Sequence, residues 1–383
     1  MIQVQNKKLC CGCSSCASVC PKHCIEMQSD AEGFLYPVVN AASCVNCGLC
    51  ESVCPFLKVL NARAPRLVYA AKNLNEEERA YSSSGGLFSM IAKKVINDGG
   101  VVFGASFDDV WNVNHSYIEK ITDIPKLQGS KYVQSRIGDS YKEVKEFLNQ
   151  GKTVLFSGTA CQIAGLKSFL HRDTENLITV DVLCHGVPSP KIWKEYVSLI
   201  QSKAKIDTIY FRDKYVGWID YCFTVKYVNG YVKRESHNDN LYMKGYLRSL
   251  YLRPSCHNCL VKGGRCGSDL TLGDFWGVEE ILPELFDNKG TSVVLVNSLR
   301  GEELLKSIKP AMQEAQYDNV LKRNGCIEKS TPENKWRQEF WSLFLRENDL
   351  RYSVEFVVRK MDKTDIRCFL HRIKRFIQNK LLS

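Results

Sequence analysis

Apolar and polar positions follow different rules along this chain. Residues 67–71, 101–107, 153–156 and 177–183 are short apolar runs that predict strands. Between them lie stretches with helical spacing, at 84–97, 141–149, 161–170 and 191–202; in the first, Leu87, Ile91 and Val95 recur and the pattern stops at Gly99-Gly100. Strands alternating with helices of about ten residues predict an α/β domain with a mainly parallel sheet. Past residue 205 the pattern turns antiparallel. Strand-like runs at 206–212 and 222–228 meet a hairpin signal at Val228-Asn229-Gly230-Tyr231, with more strands at 270–275 and 292–296. Residues 335–382 read as mostly helical.

The first 60 residues leave little room for regular elements. They carry instead two runs of the form C-x2-C-x2-C-x3-C-P: Cys10, Cys13, Cys16, Cys20 and Pro21, then Cys44, Cys47, Cys50, Cys54 and Pro55. Three thiolates two residues apart can wrap one 4Fe–4S cluster, and the fourth cysteine of each run reaches the other cluster. The expected sets are Cys10, Cys13, Cys16 with Cys54, and Cys44, Cys47, Cys50 with Cys20. Tetrahedral zinc sites typically use two ligand pairs separated by a longer spacer, which does not suit doubled triplets ending in Cys-Pro. Electron transfer is the implied chemistry. The stretch Asn61-Ala62-Arg63-Ala64-Pro65 reads as a linker to the α/β region.

Ten further cysteines remain among the eighteen. Cys161 and Cys184 each end a predicted parallel strand, at the sheet edge where such folds place ligands. Cys256 and Cys259 form a C-x2-C in a loop, with Cys266 beyond. These four thiols suit a third cluster; the rivals are zinc on the loop pair and plain buried cysteines. The stretch Ser82-Ser83-Ser84-Gly85-Gly86 enters a helix through hydroxyls and glycines, which suits a phosphate or a plain N-cap. Gly129-Ser130-Lys131-Tyr132-Val133-Gln134 offers a cation and an amide for a phosphate or a flavin ring. Neither G-x-G-x-x-G nor G-x4-G-K-[ST] occurs, so neither a Rossmann nor a P-loop nucleotide site is indicated.

The 383 residues carry a formal charge of +10. Nine Lys or Arg against three Asp or Glu fall within residues 351–383, whereas residues 1–60 are balanced. The basic segment from Ile366 to Ile377 is amphipathic, which suits an anionic membrane surface or, more simply, docking on its own protein. No nucleic-acid reading module accompanies it. The start lacks an apolar signal core and no run approaches the ~18 apolar residues of a membrane span. With most thiols assigned to clusters, a reducing cytoplasm is expected.

The ordered motifs SSSGGLFS, LQGSKYVQS, VLFSGTACQIAGL, DVLCHGVPSP, FRDKYVGW, RPSCHNCLVKG and SDLTLGDFWG, after the twin ferredoxin runs, resemble the coenzyme F420 hydrogenase/dehydrogenase beta-subunit family from Cys10 to about residue 300. The resemblance implies a mixed fold: a bacterial-ferredoxin-like module, then an α/β FAD-binding domain with antiparallel strands and a helical C-terminus. The boundaries read as 1–60, 66–205, 206–330 with the Cys-x2-Cys loop, and a helical basic tail over 331–383. It implies Cys161, Cys184, Cys256 and Cys259 as ligands of a third 4Fe–4S cluster, and Ser84, Gly85, Gly86, Ser130, Lys131 and Gln134 as FAD contacts. His185, next to a proposed ligand, is the candidate proton donor at the flavin, its alternative being a histidine held by its surroundings. Two functions are open. The first is an iron–sulfur flavoprotein oxidoreductase that joins a one-electron donor such as ferredoxin to a two-electron organic substrate, with a link to polysaccharide biosynthesis suggested by family members of no settled substrate that sit among such enzymes. The alternative is an electron-transfer beta subunit that serves a partner oxidoreductase and has no substrate of its own.

Overall fold

The computed structural model describes residues 1–202 and 204–364, so the basic segment from Ile366 lies outside the described residues. Near the N-terminus, strands β1 (Ile25–Ser29) and β2 (Leu35–Val39) pair antiparallel beside two short helices, Ser15–Val19 and Leu49–Ser52. Each helix carries the third cysteine of a run and stops before the fourth. The small core of this module is Ile2 and Ile25 with the thiols of Cys16, Cys20, Cys24 and Cys50. So few apolar side chains make a thin core, which is the usual state of a module held by its metal.

The next strands are β3 (Leu67–Lys72), β4 (Val101–Phe107), β5 (Val113–Ile118), β6 (Val154–Thr159), β7 (Leu177–Val182), β8 (Ile206–Asp213), β9 (Cys222–Tyr227), β10 (Val232–Ser236), β11 (Leu270–Asp274), β12 (Ser292–Val296) and β13 (Ala311–Glu314). Eight of them form one mixed sheet in the order β13-β3-β12-β11-β7-β6-β4-β5. Its centre, β11-β7-β6-β4, is parallel and both flanks are antiparallel. The expected division at 205/206 therefore does not divide the sheet, because β11 pairs with β7 and β12 with β3 across it. β5 escapes the apolar pattern because Asn114, His115 and Ser116 interrupt it, and His115 is buried against the backbone of Ser157.

One face of the sheet is covered by the helices Leu87–Asn97 and Leu299–Ile308, through Leu87, Ile91, Val95, Leu304 and Leu305. The other is covered by Ser140–Asn149 and Ala160–Leu170, and the cysteine module packs on that side through Cys11, Cys13 and Phe56. A second sheet, β10-β9-β8, shares a core with the helices Pro190–Gln201, Leu241–Leu247 and Arg337–Glu347. A further helix over 350–364 adds Val354 and Val357 to that core. The region past 331 is thus, as far as it is described, part of the globule and not a separate tail. Among the described residues no helix is long and apolar enough to cross a membrane.

Close docking of the module rests on Gly165, in the Ala160–Leu170 helix. A Cβ there would lie 2.8 Å from Cys13 Cβ, Ser15 Oγ and Tyr141 Oη. Overpacking of this kind costs about 1–3 kcal/mol. Gly165→Val is therefore expected to lower the thermal unfolding midpoint followed by circular dichroism, whereas the same change at exposed Gly325, which has no neighbour within 4 Å, should be much milder.

Candidate functional site

The cysteines gather in three places. Burial, then the nearby sulfurs of Cys13, Cys10 and Cys54, push the Cys16 thiol up. Burial likewise raises Cys54, to about 11, with Cys13 and Cys10 adding to it. Cys54 has thus crossed from its own run to the first one. The mirror-image crossing places Cys20 with Cys44, Cys47 and Cys50 around a second small gap, which Cys24 also lines with its Sγ 3.4 Å from Cys20 Sγ. Both crossings have one origin in the chain: a short helix ends between the third and fourth cysteines and carries the fourth away from its own set.

The third gathering lies at the carboxyl edge of the sheet. Cys161 comes just after β6 and opens a helix capped by Thr159 and Gln162; Cys184 lies just past β7. Cys256 and Cys259 arrive on a 3-10 turn, Pro254–Asn258. Burial holds Cys184 well above its usual value, and Cys256, Cys161 and Cys259 are near enough to add to the effect. Cys256 is pushed up to about 12, by burial first. All four line one gap of about 60 Å³, together with Cys11, Cys266 and Cys326. Among the described residues no three His, Cys, Asp or Glu converge closely enough to hold a single metal ion; the thiols stand around spaces instead. Buried thiols that repel one another as thiolates suit a cationic iron core, whose charge reverses that penalty.

Two features escape a reading of the sequence. Cys11 lies between Cys13 and Cys161, close enough for thiol contacts with both, so it fills the space between the first and third sets. Its only signal is the doublet Cys10-Cys11. Lys262 donates to the carbonyls of Cys184 and Cys326, each at 2.6 Å, which fixes an ammonium beside the third set.

The third gap adjoins a cavity of about 480 Å³, and Cys161, Cys184 and His185 line both. Ser84, Gly86, Ser130, Lys131 and Gln134 all line this cavity. Gly85 does not, and this corrects its expected role: a Cβ there would strike Ala71 O at 2.5 Å and Ser292 N at 2.8 Å, so it faces the sheet. The helix begins at Leu87, not Ser84, because Gly86 turns left-handed at φ 83°. The polar residues before it brace the cavity wall. Ser84 Oγ donates to Thr291 O at 3.0 Å, and Ser83 Oγ accepts from Ser130 N at 2.7 Å. Gln134 Nε2 donates to Cys11 O at 2.9 Å. Burial lowers Lys131 to about 7, and its ammonium donates to the carbonyls of Gln128 and Gly129 and lies over the Phe107 ring at 5.8 Å.

His185 is held on both sides, with Nε2 3.1 Å from Ser249 Oγ and Nδ1 3.4 Å from Thr331 Oγ1. Burial lowers it to about 4, so the imidazole is neutral near pH 7. Across the cavity, Arg212 pairs with Asp274 at 3.0 Å, and Trp218 Nε1 donates to the same carboxylate at 2.8 Å. Arg212 lies over the Tyr221 ring at 3.9 Å, while among the described residues its Nε and Nη2 have no hydrogen-bond partner. Lys214 is fully engaged by the carbonyls of Arg79, Ser84 and Lys289.

A family model for the C-terminal part of the coenzyme F420 hydrogenase/dehydrogenase beta subunit matches residues 151–319. A 4Fe-4S dicluster domain model matches residues 9–57. The likeness read from the ordered motifs is shown over these residues, and the N-terminal region is an iron–sulfur region. No curated protein matches. Among solved structures, a chain of the F420-reducing [NiFe] hydrogenase complex from Methanosarcina barkeri is similar at 17% identity and a TM-score of 0.46, over 72% of this chain and 98% of that one.

Asp274 is the hinge of the cavity's far wall. Asp274→Asn leaves a buried guanidinium without its carboxylate, a change that costs about 3 kcal/mol. A clear fall in the denaturation midpoint is expected, and an unchanged midpoint would show that Tyr221 and Trp276 suffice to hold Arg212.

Proposed function

We propose that this chain is the iron–sulfur electron-transfer subunit of a larger oxidoreductase, moving electrons between a partner subunit and a two-electron carrier, FAD, in the 480 Å³ cavity. The observation that carries the reading is the continuous order of parts: the Cys20 set, the Cys10 set, Cys11, the Cys161 set, then the cavity. When bound, 4Fe–4S clusters supply one-electron steps and a flavin joins them to two-electron chemistry. The chain's own residues do the rest. Twelve cysteines hold the clusters: Cys10, Cys13, Cys16 and Cys54; Cys20, Cys44, Cys47 and Cys50; Cys161, Cys184, Cys256 and Cys259. Cys11 fills the space between the first and third sets.

The FAD assignment is supported by the cavity's size, which lies within the usual range for ligand pockets, and by its donors. Lys131 and Arg212, two cationic side chains that line it, suit an anionic, oxygen-rich ligand. Ser84, Ser130 and Gln134 form its walls. His185, neutral and anchored, orients the wall beside Cys184.

The subunit reading is favoured over a free-standing enzyme by the beta-subunit description of the matched family and by the outer face of the module. Cys47 is exposed there, and Val45 and Leu49 beside it are 58% and 38% exposed. Apolar side chains around the outermost thiol set offer a docking face for an electron-exchanging partner.

Anaerobic isolation should give about twelve iron per chain, three clusters of four, with FAD released on denaturation. Cys20→Ser is expected to remove about four iron and to leave the flavin. Loss from the first set instead of the second would overturn the crossing, and Lys131→Glu that keeps its flavin would overturn the FAD site. Separately, the isolated loaded chain should oxidise reduced viologen slowly with small organic acceptors, and added partner subunit should accelerate it. Fast turnover with a soluble acceptor alone would favour the free-standing enzyme.

A further inference from the structure

Arg253 is 0% exposed, yet among the described residues it forms no ion pair. Its guanidinium donates from Nε to Cys10 O at 2.8 Å, from Nη1 to Gln134 Oε1 at 2.9 Å and from Nη2 to Leu35 O at 2.9 Å. Nη2 also lies 3.8 Å from Cys10 Sγ. The rings of Tyr36 and Phe34 stack over it at 4.3 and 5.4 Å. The nearby carboxylates are committed elsewhere: Glu32 to Arg337 and Asp30 to Lys7. Gly12 lies against it so closely that a Cβ would fall 2.7 Å from Nη1, within the first C-x2-C itself. Arg253 also stands three residues before Cys256 and lines the gap of the third set.

A fully buried cation whose partners are neutral oxygens is costly unless something nearby carries the opposite charge. Hydrogen bonds to carbonyls and aromatic faces offset part of that cost, and the net charge stays. The groups that can supply the counter-charge are the thiolate sets on either side. We propose that Arg253 is the shared counter-cation of the Cys10 set and the Cys161 set, a positioning residue that raises the reduction potential of both clusters relative to the Cys20 set and so favours electrons moving inward from that set. The proposal rests on the electron-transfer reading above. A one-electron reduction adds one negative charge and makes or breaks no bond, so a fixed positive charge beside the site favours the reduced state. The set of Cys20, Cys44, Cys47 and Cys50 does not touch Arg253 and serves as the internal reference.

The test is a dithionite titration with mediators, followed by electron paramagnetic resonance on the anaerobically isolated full chain, with iron counted in every sample. Arg253→Met should keep its iron and shift two of the three midpoint potentials to more negative values, leaving the third unmoved. Arg253→Lys, which keeps the charge and loses the fork of hydrogen bonds, should return both towards wild type. Gln134→Glu is the second variant. It places a carboxylate on Nη1, gives up the amide's bond to Cys11 O, neutralises the guanidinium without removing it, and should keep its iron and reproduce the negative shift. Potentials unchanged in both Arg253→Met and Gln134→Glu would overturn the proposal, as would a Lys variant that behaves like the Met variant. A wild-type chain that binds no iron would sink the electron-transfer reading itself.

Discussion

The junction between the cysteine module and the mixed sheet depends on one buried guanidinium. Arg253 spans the backbone of two segments of the module, at Cys10 and Leu35, and the amide of Gln134 in the central domain. Gln134 in turn holds the carbonyl of Cys11. Remove the charge-assisted fork and two carbonyls and an amide lose a buried donor at once. Each such group is worth about 1–3 kcal/mol when left unsatisfied. Gly165 sets the same constraint from the other side, since only a missing side chain lets the Ala160–Leu170 helix approach Cys13 and Ser15. The thin core of the module makes both contacts matter more than they would in a larger domain.

The parts of this arrangement that are legible in the sequence are the local ones. A thiol spacing of two or three residues is fixed by the covalent chain, so the crossed sets in the module can be read from it, and the helices at Ser15–Val19 and Leu49–Ser52 provide the displacement. The parallel strands β6 and β7 are legible for the same reason, each being a short apolar run before a helix. Strand partnership is not. The sheet inserts β11 and β12 between β7 and β3, separated by about two hundred residues from the latter, and no periodicity reports such a pairing. β5 escapes notice because a buried His115, bonded to Ser135 and Ser157, reads as polar.

Residues of the candidate site divide in the same way. Lys131 and Ser84 stand out for their chemistry and do line the cavity. Gly85 stands out for its conformational freedom, yet its missing side chain serves the approach of β3 and β12. Arg253 sits in a motif beside two cysteines and gives no sign of its role. A cation three residues before a thiol pair is unremarkable until the fold wraps a second cysteine segment and two aromatic rings around it. Charge compensation is a property of the packed interior, which is why no reading of spacing could reach it.

Solvent gives the order of sets a direction. Cys47 is exposed on the outer face, while Cys161, Cys184, Cys256 and Cys259, each partly buried, line an interior gap together with Lys262 and Arg253. Water screens a charge that arrives at the outer set, so little fixed charge is needed there, and the neighbouring surface is free to be apolar. At the inner set the dielectric falls and an added negative charge is stabilised only by what the protein has already placed. Two buried cations flank that set, and among the described residues none of their direct polar partners is a carboxylate. The outer end thereby carries the exposed thiol among apolar neighbours, and the inner end carries fixed cations next to the 480 Å³ cavity. Reversing the placement, with cations outside and apolar packing inside, would leave the inner thiolates uncompensated and the outer face too charged to pack against an apolar partner surface.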